Sequence, residues 1–172
     1  VPKAHTPFQW AAQDTQEEFN RKHYYLKDRL KKLKGVSFQY HGTETSSLEA
    51  VFARGDRRVG EAMIRAWGLG CKFDGWTEHF DYRKWLQAFE ETGVDPAFYS
   101  ERLRDTEEFL PWDLIDSGVT KAYLLREYEL AKREIQTPDC REGCTGCGIR
   151  RLTECPDYRR DGKRTPVPES AD

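Results

Sequence analysis

The chain has 172 residues, of which 37% are hydrophobic and 34% are charged, and its mean hydropathy is −0.87. The 28 basic and 30 acidic residues leave a formal net charge of −2, a balance typical of salt-bridged surface helices rather than of a nucleic-acid-binding face. No stretch of the sequence has the length and apolarity of a transmembrane helix and no signal peptide is visible, so we expect a cytoplasmic protein without a membrane partner.

The first forty residues predict an extended segment, a helix and a strand. Pro2 and Pro7 hold the first ten residues out of a helix. Thr15 is a suitable N-cap for a helix that continues through Leu33, with Gly35 at its end. Residues 36–40 then alternate apolar and polar side chains, as a half-buried strand does. Together these elements indicate the last helix–strand step of a sheet.

The remainder of the chain predicts helices separated by glycine and proline. Thr120 is a suitable cap for the longest of them, and Pro138 ends it. Asp116 is predicted to cap the helix that follows it. The predicted helices cover residues 47–52, 58–67, 81–91, 96–99 and 120–135. The fold class is therefore mainly α with a small β contribution.

Four cysteines form the clearest motif, because only one other cysteine, Cys71, is present in the chain. Four thiolates within 16 residues suffice for a tetrahedral zinc site or for an iron–sulfur cluster, and the spacing does not choose between the two. Whether the last cysteine is a ligand is left open. The four are Cys140, Cys144, Cys147 and Cys155, in the pattern C-x3-C-x2-C-x7-C.

The first three of these cysteines also have the spacing of the catalytic cluster loop in radical S-adenosylmethionine enzymes. In that loop three cysteines leave one iron open for the cofactor, and an aromatic residue usually precedes the third. Here Gly146 precedes Cys147, and Cys155 offers a fourth thiolate. The motif therefore predicts a closed site, either structural or an auxiliary electron-transfer centre.

A run of arginines lies between two predicted helices. Arg54, Asp56, Arg57 and Arg58 surround Gly55. Arginines at a helix N-terminus suit anion binding. A buried arginine–aspartate network that orients the two helices is the structural alternative, and the sequence does not separate the two.

Two further candidates are polar residues in apolar surroundings. Trp112 and Asp113 follow a proline, and Asp113 with Asp116 forms a possible carboxylate pair. His5 and Gln9 lie in the proline-bearing first segment, where His5 is a candidate ligand or base.

Several long segments, in order, resemble the C-terminal part of cobalamin-binding radical S-adenosylmethionine proteins. The resemblance covers residues 1 to about 148, most of the chain. The segments are PKAHTPFQW, SSLEAVFARGDRRVGEAMIRAW, CKFDGWTEHFDYRKW, LPWDLIDSGVTKAYLLRE and DCREGCTGCG.

The resemblance implies an N-terminal cobalamin-binding domain and a radical S-adenosylmethionine barrel with a 4Fe-4S cluster, both preceding this chain in a longer parent protein. It divides the chain into the end of the barrel at 1–42, a helical extension at 43–136 and a cysteine-rich loop at 137–156. The composition after Cys155, rich in Arg, Asp, Lys, Pro and Ser, predicts a disordered tail at 157–172. His5 and Gln9 match the segment that closes the barrel, near the cofactor cavity. Arg54, Asp56, Arg57 and Arg58, with Trp112 and Asp113, match family motifs and are candidates for binding cofactor or substrate.

The expected function is accordingly that of a C-terminal region that closes the barrel and carries a zinc or auxiliary iron–sulfur site. The parent would perform radical chemistry on an unknown substrate, with methyl transfer as one form of it, while this chain alone is not expected to catalyse. The alternative is a non-enzymatic zinc module that binds RNA or a protein partner, favoured by the arginines around Cys155 and opposed by the acidic residues among them.

Overall fold

The computed structural model describes residues 1–140, 142–153 and 155, and within these ranges the chain is mainly helical, as the sequence predicts. Short 3-10 turns occur at Pro7–Trp10 and Ile149–Arg151. The α-helices of the described residues are α1 (Gln16–Leu30), α2 (Thr43–Arg54), α3 (Arg57–Gly68), α4 (Tyr82–Thr92), α5 (Pro96–Ser100) and α6 (Lys121–Lys132).

Four of these helices begin after a residue whose side chain caps the first turn, and the sequence predicts two of these caps, Thr15 and Thr120. The side chains of Thr15, Asp81, Asp95 and Thr120 each accept a hydrogen bond from a backbone N–H in the first turn of the helix that follows. Such a bond satisfies one of the N–H groups that have no partner within the helix. Local side-chain chemistry therefore sets the starts of α1, α4, α5 and α6.

The strand predicted for residues 36–40 is not formed, and no strand occurs among the residues that the structure describes. The alternation of side chains still has a structural effect. The rings of Phe38 and Tyr40, two residues apart, stack with centroids 5.4 Å apart, and both contact His23 of α1. A strand also requires a neighbouring strand for its backbone hydrogen bonds, and this segment has none in the described chain.

The chain divides into two compact units. We call residues 1–4 and 10–111 the helical unit, and residues 5–9 and 112–172 the terminal unit. This division by packing differs from the four segments predicted at 1–42, 43–136, 137–156 and 157–172, which remain a prediction. The last of those segments lies outside the described residues.

The helical unit has a continuous apolar core. In it α3 packs against α4, α2 against α5, and α1 against α2. Cys71 lies in this core with 8% of its surface exposed, which confirms that it is a buried small residue. The core consists of Leu48, Val51, Val59, Ala62, Ala66, Cys71, Trp85, Ala88, Phe89, Val94 and Tyr99.

The terminal unit is built around α6 and the loop that follows it. Leu124 of α6 and Trp112 before it are buried. The helix ends at Lys132, three residues before the predicted Ile135. No helix in the described part of the chain is both long enough and apolar enough to span a membrane.

Candidate functional site

A polar cavity of about 360 Å³ lies within the terminal unit, beside the N-terminus of α6. It brings together residues from both ends of the sequence, because His5 and Gln9 line it with residues beyond 112. Three of the residues predicted from the sequence, His5, Gln9 and Asp113, are therefore neighbours. The charged and amide side chains of the lining are His5, Gln9, Asp113, Asp116, Lys121 and Arg151.

Gln9 and Trp112 hold one wall of this cavity in place. The indole Nε1 of Trp112 donates a hydrogen bond of 2.7 Å to Gln9 Oε1, and the backbone N–H of His5 donates one of 3.2 Å to the same oxygen. Gln9 is 2% exposed and Trp112 is 7% exposed. A buried hydrogen bond of this kind fixes an orientation, because breaking it would leave a polar atom unsatisfied. Trp112 thus positions Gln9 and His5.

Two ion pairs also belong to the lining of the cavity. Lys121 Nζ is 2.9 Å from Asp113 Oδ2, and the Asp113 side chain is only 16% exposed. Arg151 Nη2 is 3.4 Å from Asp116 Oδ1, and both of these side chains are about half exposed. Asp116 also accepts a 2.8 Å hydrogen bond from the backbone N–H of Gly118, so it stabilises a turn. The predicted helix cap at Asp116 is therefore wrong, because Thr120 caps α6.

His5 has two unusual features. Its φ of 53° lies in the left-handed region, which costs a non-glycine residue about 1 kcal/mol or more. Its Nε2 atom is buried and has no hydrogen-bond partner among the described residues. Strained backbone and unsatisfied buried polar atoms concentrate at functional sites. His5 is thus the residue of this cavity whose environment indicates a ligand.

The cysteine loop belongs to the same unit. Cys140 and Cys144 are exposed, and Cys147 and Cys155 are partly buried. Among residues 1–140, 142–153 and 155, no group of three or more His, Cys, Asp or Glu side chains is arranged to hold a metal ion. The four-cysteine ligand set therefore stays a prediction.

The middle of the cysteine loop is attached to the start of α6. The backbone N–H of Thr120 donates a 2.9 Å hydrogen bond to the Cys147 carbonyl, and the Thr120 hydroxyl lies 3.3 Å from the same oxygen. Arg126 Nη2 donates a 2.5 Å hydrogen bond to the Thr145 carbonyl. These bonds attach the loop to α6 through the backbone carbonyls of Thr145 and Cys147, so they do not depend on the side chains of those two residues.

Gly148 makes this attachment possible. Its φ of 101° is a conformation that L side chains rarely adopt. A Cβ at this position would lie 2.5 Å from Thr120 Cγ2 and 3.3 Å from the Gly118 carbonyl oxygen. Only a glycine allows this close approach, and it carries the chain from Cys147 into the turn that contains Arg151.

The donor set fits a soft metal. Four thiolates suit zinc or an iron–sulfur cluster by their chemistry, and the left-handed glycines 146 and 148 give the loop the tight turns that sulfur ligands close in sequence require. A metal site of this kind rarely exists before the metal binds, because binding and ordering of the loop are coupled.

The Arg54–Arg58 segment lies in the helical unit and not at this cavity. Asp56 caps α3 by accepting a 2.9 Å hydrogen bond from the Arg58 N–H, and it also accepts one of 3.1 Å from the Tyr99 hydroxyl. The Arg58 guanidinium beside it, aided by that cap and by Tyr99, lowers the pKa of Asp56 from 3.8 to about 2. A carboxylate of the chain itself thus occupies the N-terminus of α3, which favours the structural alternative for this segment.

Arg54, at the end of α2, is fully buried, and Arg104 is nearly so. Arg54 Nη1 donates to the Ser100 carbonyl over 3.1 Å, and Arg104 Nη2 donates to the Arg54 carbonyl over 2.9 Å. Burial, with Arg104 nearby, lowers the pKa of Arg54 to about 10. Arg57, in contrast, is exposed. The two buried arginines join the end of α2 to the segment after α5, which is a structural role.

Sequence reasoning missed three contributors to these arrangements. Lys121 and Arg151 line the cavity, and Arg104 is buried in the helical unit. Lys121 follows the capping residue Thr120, so its place at the start of a helix was visible in the sequence. No local signal distinguishes Arg104 or Arg151 from the many exposed arginines around them.

Comparison of this chain with protein-family models, curated proteins and solved structures finds no significant match. The resemblance set out above is therefore carried by its own segments alone, and the function that it implies is a proposal.

Proposed function

We propose that this chain is the C-terminal, mainly helical region of a radical S-adenosylmethionine enzyme, and that its terminal unit carries a zinc or auxiliary iron–sulfur site and contributes a wall of the cofactor or substrate cavity. One observation supports this most directly. His5 and Gln9, from the first resembling segment, line the same cavity as Asp113, from another segment more than a hundred residues later. Two segments that lie far apart in the sequence, and that each resemble the same family, thus line one pocket.

The residues of this pocket would bind and orient rather than react. The cluster and S-adenosylmethionine of the parent would supply a 5′-deoxyadenosyl radical that removes a hydrogen atom from the substrate. Trp112 holds Gln9, Gln9 holds the backbone of His5, and Lys121 balances the charge of Asp113. Such a fixed wall positions a substrate at low entropic cost.

The cysteine loop would have a separate role. Cys140, Cys144, Cys147 and Cys155 would hold the metal as a closed four-thiolate set, which leaves no open position for a substrate. A closed site stabilises the loop or transfers electrons. Because residues 145–147 are bonded to the start of α6, metal binding would stabilise the same part of the unit that lines the cavity.

The test is anaerobic expression of the full chain, followed by metal analysis and a visible spectrum. Iron and sulfide with a broad brown absorbance support the auxiliary cluster, and one zinc per chain without colour supports the structural form of the proposal. A chain that retains no metal under these conditions would contradict both. Zinc together with salt-dependent RNA binding would instead favour the non-enzymatic zinc module.

Substitution identifies the ligands. Cys155→Ser is expected to weaken metal retention, as is Cys147→Ser. Cys71→Ser is the matched control, because Cys71 is buried in the core of the helical unit and contributes no predicted ligand. Unchanged retention in Cys155→Ser would remove that residue from the ligand set.

A further inference from the structure

We infer that the cavity of the terminal unit binds a free α-amino acid with an uncharged side chain, through both its ammonium and its carboxylate group. This inference rests on the proposed function only in treating the cavity as a binding site, and it is independent of which metal the cysteines hold. Three features of the lining carry it: its paired charges, the unsatisfied atom of His5, and its apolar side.

The charges of the lining occur as two pairs of opposite sign. Lys121 is paired with Asp113 at 2.9 Å, and Arg151 with Asp116 at 3.4 Å. A ligand with a single charge would attract one member of a pair and leave the other without its counter-ion, which is costly for a carboxylate as buried as Asp113. A zwitterion supplies both signs at once. Its carboxylate is suited to Lys121 and its ammonium to Asp113, so every charge keeps a partner.

His5 Nε2 adds an unfilled hydrogen-bonding position. This buried atom has no partner among the described residues, and an unsatisfied buried polar atom is costly. A ligand oxygen that accepted a hydrogen bond from it, once the side chains that cover the imidazole had moved aside, would remove this cost. Gln9, oriented by Trp112, accepts a hydrogen bond from the backbone N–H of His5 and so fixes the backbone that carries the imidazole.

The lining also has an apolar part, which sets the character of the ligand side chain. Ile115, Val119 and Leu124 line the cavity together with its charged residues. A volume of about 360 Å³ is near the lower limit for small-molecule sites, about 300 Å³. These features suit an aliphatic or otherwise uncharged side chain attached to a zwitterionic head group.

The test compares three probes on the unaltered full chain by isothermal titration calorimetry. L-leucine carries both charges, L-leucinamide lacks the carboxylate, and N-acetyl-L-leucine lacks the ammonium. We expect L-leucine to bind and each analogue to bind at least about tenfold more weakly, because each leaves one ion pair unmatched. N-acetyl-L-leucine binding as tightly as L-leucine would mean a simple anion site. No binding of L-leucine at concentrations up to about 10 mM would also overturn the inference.

Substitutions locate the binding on the chain. Lys121→Gln and Asp113→Asn each remove one charge with little change in size, and we expect each to weaken L-leucine binding about tenfold or more. His5→Asn removes the imidazole but keeps a residue that tolerates the left-handed conformation, and it is expected to weaken binding as well. Lys132→Gln is the control, since Lys132 lies at the other end of α6 and pairs with Glu129.

Metal content, measured on the same samples, separates this inference from the proposed function. An unaltered chain that retains its metal but does not bind L-leucine would contradict the amino-acid site alone. A chain that binds L-leucine but holds no metal would contradict the metal site and leave this inference standing. Equal binding by Lys121→Gln and the unaltered chain would place the ligand elsewhere and overturn the assignment.

Discussion

The helical unit and the terminal unit are stabilised by different kinds of contact. The helical unit has eleven buried apolar or aromatic residues in one cluster. The large buried side chains of the described terminal unit are Gln9, Trp112 and Leu124, and its other contacts include hydrogen bonds, ion pairs and the edge-on contact of Phe8 with Tyr128. Apolar burial is the main driving force of folding, so we expect the first unit to order itself and the second to depend on an additional constraint. The four cysteines are placed where a metal would supply one.

The largest expected effect comes from removing the metal that we propose for the terminal unit. A strong chelator, or the pair of substitutions Cys144→Ser and Cys147→Ser, is expected to raise hydrogen-exchange rates of α6 and residues 112–120 by about ten- to a hundredfold, because the loop bonded to Thr120 loses its order. Amides of α2 to α4 are expected to exchange as before. Hydrogen exchange monitored by mass spectrometry measures both units in one experiment.

Two results of the hydrogen-exchange experiment would contradict this prediction. Equal acceleration in α3 and α6 would mean that the metal stabilises the whole chain, and unchanged exchange in α6 would mean that the terminal unit orders itself without metal. Cys71→Ser provides the control, since it lies in the core of the helical unit.

The second effect should be confined to the helical unit. Arg54→Ala removes a fully buried side chain and its 3.1 Å hydrogen bond to the Ser100 carbonyl, which is expected to lower the free energy of unfolding by about 3 kcal/mol. Arg54→Met keeps most of the volume and removes the buried charge, so it is expected to cost less than about 1 kcal/mol. Urea denaturation followed by tryptophan fluorescence measures both changes.

The exposed neighbour Arg57 is the matched control. Arg57→Ala is expected to change the free energy of unfolding by less than about 0.5 kcal/mol. An equal loss for Arg54→Met and Arg54→Ala would show that the charge of Arg54, and not its volume, stabilises the end of α2. Metal retention in the terminal unit should be the same in all three variants.

The helices were predictable because their signals are local. The capping bonds of Thr15, Asp81, Asp95 and Thr120 each join residues two or three positions apart, so the residue types alone indicate them. Helix α2 begins at Thr43, several residues before the predicted start at residue 47, because Gly42 has no side chain that could signal a cap. The strand at 36–40 failed because pairing depends on a second segment that a local pattern does not contain.

The sequence predicts several residues of the candidate cavity, but it does not predict that they lie together. His5, Gln9 and Asp113 stood out as polar residues in apolar surroundings, but nothing local places His5 beside a residue more than a hundred positions later. The bond between Trp112 and Gln9 that joins these segments spans 103 residues. Arg104 and Arg151 were missed for the same reason, because burial and pairing of an arginine are set by distant backbone.

A glycine substitution tests how the cysteine loop is attached within the terminal unit. In Gly148→Ala the new Cβ would lie 2.5 Å from Thr120 Cγ2, at a φ of 101°. We expect the loop to detach, with a loss of about 2 kcal/mol in local stability and weaker metal retention. Gly143→Ala is the control, because its Cβ meets nothing within 4 Å and its φ is not positive. Metal titration and hydrogen exchange of α6 measure the two losses.

A second substitution separates steric conflict from backbone strain. Thr120→Ser removes Cγ2 but keeps the capping hydroxyl, so it should recover part of the stability that Gly148→Ala loses. Recovery of stability in the double variant Gly148→Ala/Thr120→Ser identifies the clash with Thr120 as the cause of the loss. No recovery would assign the loss to the left-handed backbone of residue 148, for which Gly146→Ala, with a φ of 73° and an open surrounding, is the comparison.

The smallest expected effect is a pH dependence that belongs to the helical unit. The pKa of Asp56 falls from 3.8 to about 2 in the folded chain, chiefly through its hydrogen bonds with Arg58. A carboxyl group with a lowered pKa stabilises the fold above pH 3.8, and this contribution is lost as the pH falls toward 2. Because the Arg58 side chain is 61% exposed, we expect this contribution to the free energy of unfolding to be only about 1 kcal/mol.

Asp56→Asn keeps a good helix cap but cannot ionise, so its urea midpoint should fall less than that of the unaltered chain between pH 5 and pH 2. Tryptophan fluorescence suits this measurement, since all tryptophans but Trp112 lie in the helical unit. Parallel pH profiles for the two chains would mean that Asp56 acts as a cap alone, and that its ion pair with Arg58 adds nothing to the stability of the helical unit.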